Sequence, residues 1–302
     1  MDKLLTDEEL ISELQRRCNE NKISLEEQKT LTKQLIELNK KLEESESMKG
    51  HFISNITNEI INPFASILGL SRNILSVKEN NWDKVRSMVS LIHSEAFNLD
   101  FQLKNIFSAA KIEAGEINME TNHTDVIQLI QSVIDAFNHE AIKKNISMKF
   151  DFDVNHENTK TFYFNTDADK LKLMLSNLVS NAIKFNNENG EISLKVSVKK
   201  KILSICVIDN GIGISESDKL IIFDRFKKIN NNINSINPGH GLGLSIVKAF
   251  LEILNGKIDI VSDLNNGSSF FISIPEAEKE TSIYNDNNEF DDFKFGEDNI
   301  IL

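Results

Sequence analysis

Residues Gly239-His240-Gly241-Leu242-Gly243-Leu244-Ser245-Ile246-Val247-Lys248 (GHGLGLSIVK) form a glycine-rich run that opens straight onto an amphipathic helical pattern. Backbone N–H groups at a helix N-terminus carry partial positive charge and hold phosphate well. The spacing excludes two common phosphate-binding folds. A dinucleotide fold needs Gly-x-Gly-x-x-Gly just after the first strand of a βαβ unit, and a P-loop fold ends its loop in Gly-Lys-Ser/Thr. Neither is present, so the fold is decided by the segments around this run.

Three other short pieces belong with it. Asp209-Asn210-Gly211-Ile212-Gly213-Ile214 follows an apolar strand pattern. Its carboxylate can accept a hydrogen bond from an exocyclic amine such as that of adenine, and its glycines let the backbone come close to a ligand. Asn177-Leu178-Val179-Ser180-Asn181-Ala182-Ile183-Lys184-Phe185 places Asn177 and Asn181 one helical turn apart on a shared face. Two amide oxygens there suit a hard cation such as Mg²⁺, which prefers oxygen ligands and keeps phosphates as partners. Phe223-Asp224-Arg225-Phe226 reads as an aromatic-anchored turn.

Outward from these pieces the texture differs between the two halves. Residues 1–22 have loose helical spacing, and from about 24 the leucines 31, 35, 38 and 42 recur at intervals of 4, 3 and 4, the seam of a parallel coiled coil. Helical spacing continues over 46–76, with Pro63 expected to kink it. A second helix is expected over 82–113, capped by Gly115. Two helices joined by a turn make a hairpin, and two hairpins make a four-helix bundle by dimerisation. After 120 the pattern predicts helices over 125–143 and 167–186, a helix after Gly243, and strands near 146–153, 191–198, 202–209 and 268–274. The acidic, Asn-rich stretch from 276 reads as a disordered tail.

A net charge of −12, with lysines and arginines scattered, argues against binding the phosphate backbone of nucleic acids. Cys18 and Cys206 lie far apart with no metal-ligand spacing, which fits a reduced, cytoplasmic protein. No run of about 18 apolar residues is present, so neither a membrane span nor a signal peptide is expected.

The order and separation of the four pieces resemble the N, G1, F and G2 boxes of the GHKL (Bergerat-type) ATPases, in the version carried by two-component sensor histidine kinases, with NGSSFFISIP as the following G3 segment. The resemblance runs from about residue 45 to 275. It implies a helical hairpin forming a dimeric four-helix bundle on a coiled coil, followed by an α/β sandwich ATP-binding domain. The corresponding divisions are a lead-in over 1–44, a dimerisation and phosphoacceptor hairpin over 45–118, the ATPase over 119–276 and a tail over 277–302. It also implies ATP and Mg²⁺ as cofactors. Asn181 would ligate the metal with Asn177 in support, Lys184 would reach the phosphates, and Phe185 would flank the adenine. Asp209 would bind the adenine amine, and Gly211 and Gly213 would shape the pocket. Gly239, Gly241 and Gly243 would hold the triphosphate, with His240 a loop residue between them. The implied partners are a second copy of the chain, or another histidine kinase in a heterodimer, and the receiver domain of a response regulator.

Within the helical half, MKGHFISNITNEIINPFASILGLSRNIL resembles the family's phosphoacceptor helix, matching at Phe52, Asn55, Glu59, Asn62 and Pro63. It departs at Asn58, where the family carries its histidine. A neutral imidazole has a free ring lone pair near neutral pH and can attack phosphorus, whereas an amide nitrogen has its lone pair delocalised. Asn58 is therefore not a phosphoacceptor. His51 lies two helical turns away without the acid and Asn-Pro setting, and His93 lies on the other helix; both read as ordinary residues. In the family the acid matching Glu59 assists phosphotransfer, and the residue matching Asn62 helps orient a water that hydrolyses phospho-aspartate. Three readings stay open: a kinase acting in trans or as a phosphatase, a non-catalytic pseudokinase scaffold, and an ordinary autophosphorylating kinase whose histidine has been replaced by engineering.

Overall fold

The computed structural model describes residues 7–77, 81–153, 161–225 and 241–278, with residues 7–10, 13, 41–42, 44–56, 58 and 59 described by their backbone alone. The N-terminal half is two long helices. Helix α1 runs from Asp7 to Leu75 without a break, where the sequence pattern predicts a short helix, a coiled-coil segment and a further helix. The reason is local: good helix formers fill the stretch, and Gly50, the sole glycine before Pro63, costs only about 1 kcal/mol in a helix interior. Pairs such as Arg16 with Glu20 (2.6 Å) add slight support on the exposed side. Pro63 lies inside α1 and is buried, so it does not end the helix.

Helix α2 (Trp82–Ala114) returns along α1 to complete the hairpin. It ends as expected at Gly115, whose φ of 71° lets its N–H reach the Ile112 carbonyl while Glu116 N–H reaches that of Lys111. No helix among the described residues is long and apolar enough to cross a membrane.

The second half comprises β1 (Asn122–Asp125), α3 (Val126–Lys143), β2 (Ser147–Asp153), β3 (Tyr163–Thr166), α4 (Ala168–Lys184), β4 (Glu191–Lys199), β5 (Ile202–Asp209), α5 (Glu216–Lys219), α6 (Gly243–Ile253), β6 (Lys257–Ser262) and β7 (Ser268–Pro275). Five strands form one sheet in the order β2-β4-β5-β7-β6, with β2 and β4 parallel and the other neighbours antiparallel, and β1 pairs with β3 separately. Alternation along the strands sends Ile192, Leu194, Val196, Leu203, Ile205, Val207, Phe270, Ile272 and Ile274 to one face. There they share a core with Val133 and Phe137 of α3, Leu171 and Leu178 of α4, and Ile246 and Val247 of α6. Three helices on one face of a mixed sheet make the expected α/β sandwich.

Strands β1, β3 and β6 and the short helix α5 add to the elements read from the sequence. The first two are four residues long, too short for alternation to register, and β6 (KIDIVS) buries only Ser262 fully. Side-chain caps start two of the sandwich helices. Asp125 accepts the N–H groups of Ile127 and Gln128, and Asp167 accepts that of Lys170.

Candidate functional site

Helix α4 organises the site. Asn181, the expected metal ligand, is half-buried on it, and its side chain makes no hydrogen bond to the described residues, so its amide oxygen is available. Asn177, one turn earlier, is only 4% exposed and is fully engaged on its donor side. Its Nδ2 donates to Asn105 Oδ1 at 2.7 Å and to the Leu173 carbonyl at 3.0 Å. The helix ends with the Lys184 ammonium over the Phe185 ring at 5.3 Å. Lys144 Nζ donates to the carbonyls of Ile183 (3.0 Å) and Lys184 (2.9 Å), placing a cation where the helix dipole is negative.

Against that end lies the turn after β5. Ile212 N–H donates to the Phe185 carbonyl at 3.1 Å, and a Cβ at Gly211 would overlap that same carbonyl oxygen. Only glycine allows this approach. Gly213 adopts a φ of 67°, with its Cα against the Asp263 carbonyl. Asp209, at the head of the turn, is 9% exposed. Its Oδ1 accepts the backbone N–H groups of Gly211 (2.9 Å) and Ser268 (3.2 Å), while its Oδ2 accepts nothing from the described residues. Burial pushes the carboxyl above the usual aspartate range, and the two N–H groups pull it partway back.

The third wall is the start of α6. Gly241 has a φ of 69°, and Gly243 is the first helical residue. Among the described residues no side chain caps this helix, since Leu242 at the N-cap has no side-chain acceptor to offer its first-turn N–H groups. A Cβ on Gly243 would stand 2.7 Å from Asn177 Oδ1, so the glycine lets α6 begin directly against α4. Gly239 and His240 lie outside the described residues, as does Phe226. Phe223 packs against the core.

Three loops and helix ends thus converge around α4, offering a buried acceptor oxygen, an aromatic face, a lysine, an amide oxygen and an uncapped helix N-terminus. These groups could hold a purine nucleotide whose phosphates carry a hard cation. Two features of this geometry were not anticipated. Asn105 reaches Asn177 from the other half of the chain, a contact 72 residues apart in sequence that carries no local signal. The β6–β7 hairpin braces the Asp209 turn: Ile214 N–H donates to Ser262 Oγ (2.8 Å), Asn265 N–H to the Ile212 carbonyl (2.7 Å), and Gly267 packs its Cα on the Asp209 carbonyl.

In the helical half, the backbone of Asn58 and Glu59 continues α1, and Asn62 is exposed one turn beyond Asn58. His93 is exposed on α2.

Residues 166–278 match the family model for histidine kinase-, DNA gyrase B-, and HSP90-like ATPases. The circadian input-output histidine kinase CikA of Synechococcus elongatus is 27% identical over 251 residues, covering 81% of this chain and 32% of that protein. The autoinducer 2 sensor kinase/phosphatase LuxQ of Vibrio vulnificus is 30% identical over 238 residues, covering 77% of this chain and 27% of that one. The chain spans about a third or less of the length of these relatives. The crystal structure of full-length ShkA in complex with AMPPNP superimposes with a TM-score of 0.52 at 21% identity, over 78% of this chain and 46% of that one, a likeness of fold. With an ATPase model over its sandwich and histidine kinase relatives across hairpin and sandwich alike, the chain belongs to the protein-histidine kinase family.

Proposed function

We propose that the chain binds ATP with Mg²⁺ between α4, the Asp209–Ile214 turn and the start of α6, and serves a two-component system as a kinase-family enzyme. Asn181 would hold the metal with Asn177 beside it, Lys184 would reach the phosphates, and Phe185 would flank the adenine. Gly211 and Gly213 would let the turn approach the base, and Gly239, Gly241 and Gly243 would leave room for the phosphates. The observation that carries this reading is Asp209. A carboxylate this deeply buried, with one oxygen held by two backbone donors and the other free of described partners, is set to receive an amine such as that of adenine. When bound, the metal would neutralise phosphate charge.

The phosphoryl acceptor is the finer point. Asn58 cannot be the nucleophile, so this chain would act on a histidine of a partner protomer, or on the receiver domain of a response regulator. Residues 45–118 would supply the dimerisation hairpin and 119–276 the ATPase. Exposure of Leu31, Leu35 and Leu38 at 58%, 63% and 65% on α1 favours a second helix alongside it, in a homodimer or a heterodimer with another histidine kinase.

A phosphatase role is favoured by one further observation: Asn62 is exposed, one turn from position 58, where an amide can orient water toward a docked phospho-aspartate. The name of the relative LuxQ, a sensor kinase/phosphatase, agrees with it. Glu59 would take part only in the kinase direction.

The test uses labelled ATP with the chain as it stands and with Asn58→His. Acid-labile label confined to the Asn58→His variant supports a kinase lacking only its acceptor, and label on the unsubstituted chain overturns that assignment. Phosphorylated regulator is then added to the unsubstituted chain. Accelerated phosphate loss that disappears in Asn62→Ala supports the phosphatase role, and an unchanged rate rejects it.

A further inference from the structure

Asn105 sits on the face of α2 that meets the sandwich, and it is 6% exposed. Around it the contact is apolar: Phe97 and Phe101 of α2 pack edge-on against Phe137 of α3, with ring centroids 5.3 and 5.5 Å apart. A polar pair buried in such a contact has to be satisfied and in register. Asn105 Nδ2 donates to the Phe101 carbonyl at 3.1 Å, which leaves its Oδ1 facing Asn177.

The consequence falls on the orientation of Asn177. A primary amide has two donors on one side and one acceptor on the other. Both donors are taken, by Asn105 Oδ1 and the Leu173 carbonyl, so the Asn177 oxygen is turned to the opposite side. There it meets the first residue of α6, Gly243, and it accepts no hydrogen bond from the described residues. The oxygen of this residue, only 4% exposed, is thus aimed at the start of α6.

We infer that Asn105 of the helical hairpin is a positioning residue of the nucleotide site: by accepting the Asn177 amide it aims the Asn177 oxygen at the place where metal-bound phosphates would lie. This rests on the ATP reading above and goes beyond it, because it makes the oxygen-ligand side of the site complete only while the sandwich is seated on α2. The adenine side, built on Asp209 and the β6–β7 hairpin, is independent of that seating. Outer residues that orient ligands typically change metal affinity by about 10- to 100-fold when removed.

The experiment compares the full chain with Asn105→Leu, which keeps the size and removes the acceptor, and with Asn105→Asp, which keeps an acceptor oxygen. Binding of ATP with Mg²⁺ and of ADP without it is measured by calorimetry. Exchange of the Asn177 side-chain amide protons is followed by NMR in the nucleotide-free protein. Asn105→Leu is expected to bind ATP with Mg²⁺ about tenfold more weakly and ADP without metal as the unsubstituted chain does. Its Asn177 amide should exchange faster, and Asn105→Asp should recover most of both effects. Equal weakening of both nucleotides, or no weakening, overturns the inference and leaves the ATP reading standing. Unchanged amide exchange in Asn105→Leu overturns it without reference to any nucleotide. If the unsubstituted chain binds neither nucleotide, the ATP reading fails and takes the positioning role with it.

Discussion

Ser268 at the start of β7 donates its backbone N–H to Asp209 Oδ1 at 3.2 Å, 59 residues away in sequence, and so fixes which oxygen of that carboxylate faces the pocket. Burial raises the Asp209 pKa above the ordinary value, so the folded chain binds this proton more tightly than the unfolded chain does. Between the two pKa values stability therefore falls as pH rises, and at neutral pH the ionised group is a net cost. Asp209→Asn should raise the thermal midpoint at pH 7.5, by an amount that shrinks toward acidic pH. If Asp209 is the acceptor for the adenine amine as proposed, it needs the ionised form, so nucleotide affinity should weaken on acidification sooner than an ordinary aspartate would require. Calorimetry across pH checks both signs.

Gly213→Ala should destabilise the sandwich. Left-handed backbone costs an L-residue about 1–2 kcal/mol, and a Cβ there would also overlap the Asp263 carbonyl. Urea unfolding should show a lower midpoint with an unchanged slope, whereas Gly69→Ala, with nothing within 4 Å of the added carbon, should be neutral or slightly stabilising.

Lys144→Met keeps the length of the side chain and removes the ammonium that caps α4. Loss of two charge-assisted bonds to the Ile183 and Lys184 carbonyls should cost about 1–2 kcal/mol. Hydrogen exchange should rise first in the last turn of α4, next to Phe185.

Phe101→Ala and Phe137→Ala test the joint between hairpin and sandwich. Phe137, 1% exposed, should cost about 3–5 kcal/mol, and a double-mutant cycle should return a coupling of about 0.5–1.5 kcal/mol with Phe101. A coupling near zero would mean that the two rings do not meet in solution.

Much of this architecture could be read from the sequence because its signals are local. The glycine run ahead of α6, the Asn177–Asn181 spacing and the Asp209 turn each depend on residues a few positions apart. Tertiary relationships were not legible. Nothing near Asn105 announces that it meets Asn177, and nothing in KIDIVS shows that its only fully buried side chain, Ser262, braces the Asp209 turn. The abundance of asparagine also has a structural source that blurs its chemical meaning. Asn145, Asn189, Asn255 and Asn265 occupy left-handed turn positions, where asparagine is tolerated better than most residues. Asparagine count alone therefore says little about ligands, and Asn181 stands out from its namesakes as a candidate only through the resemblance of its whole segment.

The continuity of α1 gives the N-terminal lead-in and position 58 a common angular phase. At about 100° per residue, inserting one residue anywhere between 43 and 57 would swing the faces of Asn58 and Asn62 by more than a quarter turn relative to the leucine seam at 31, 35, 38 and 42. Seven inserted residues would return them to within about 20°. With no break to absorb torsion, a twist applied at one end of this 69-residue rod reaches the face that carries positions 58 and 62 as a twist of the same hand.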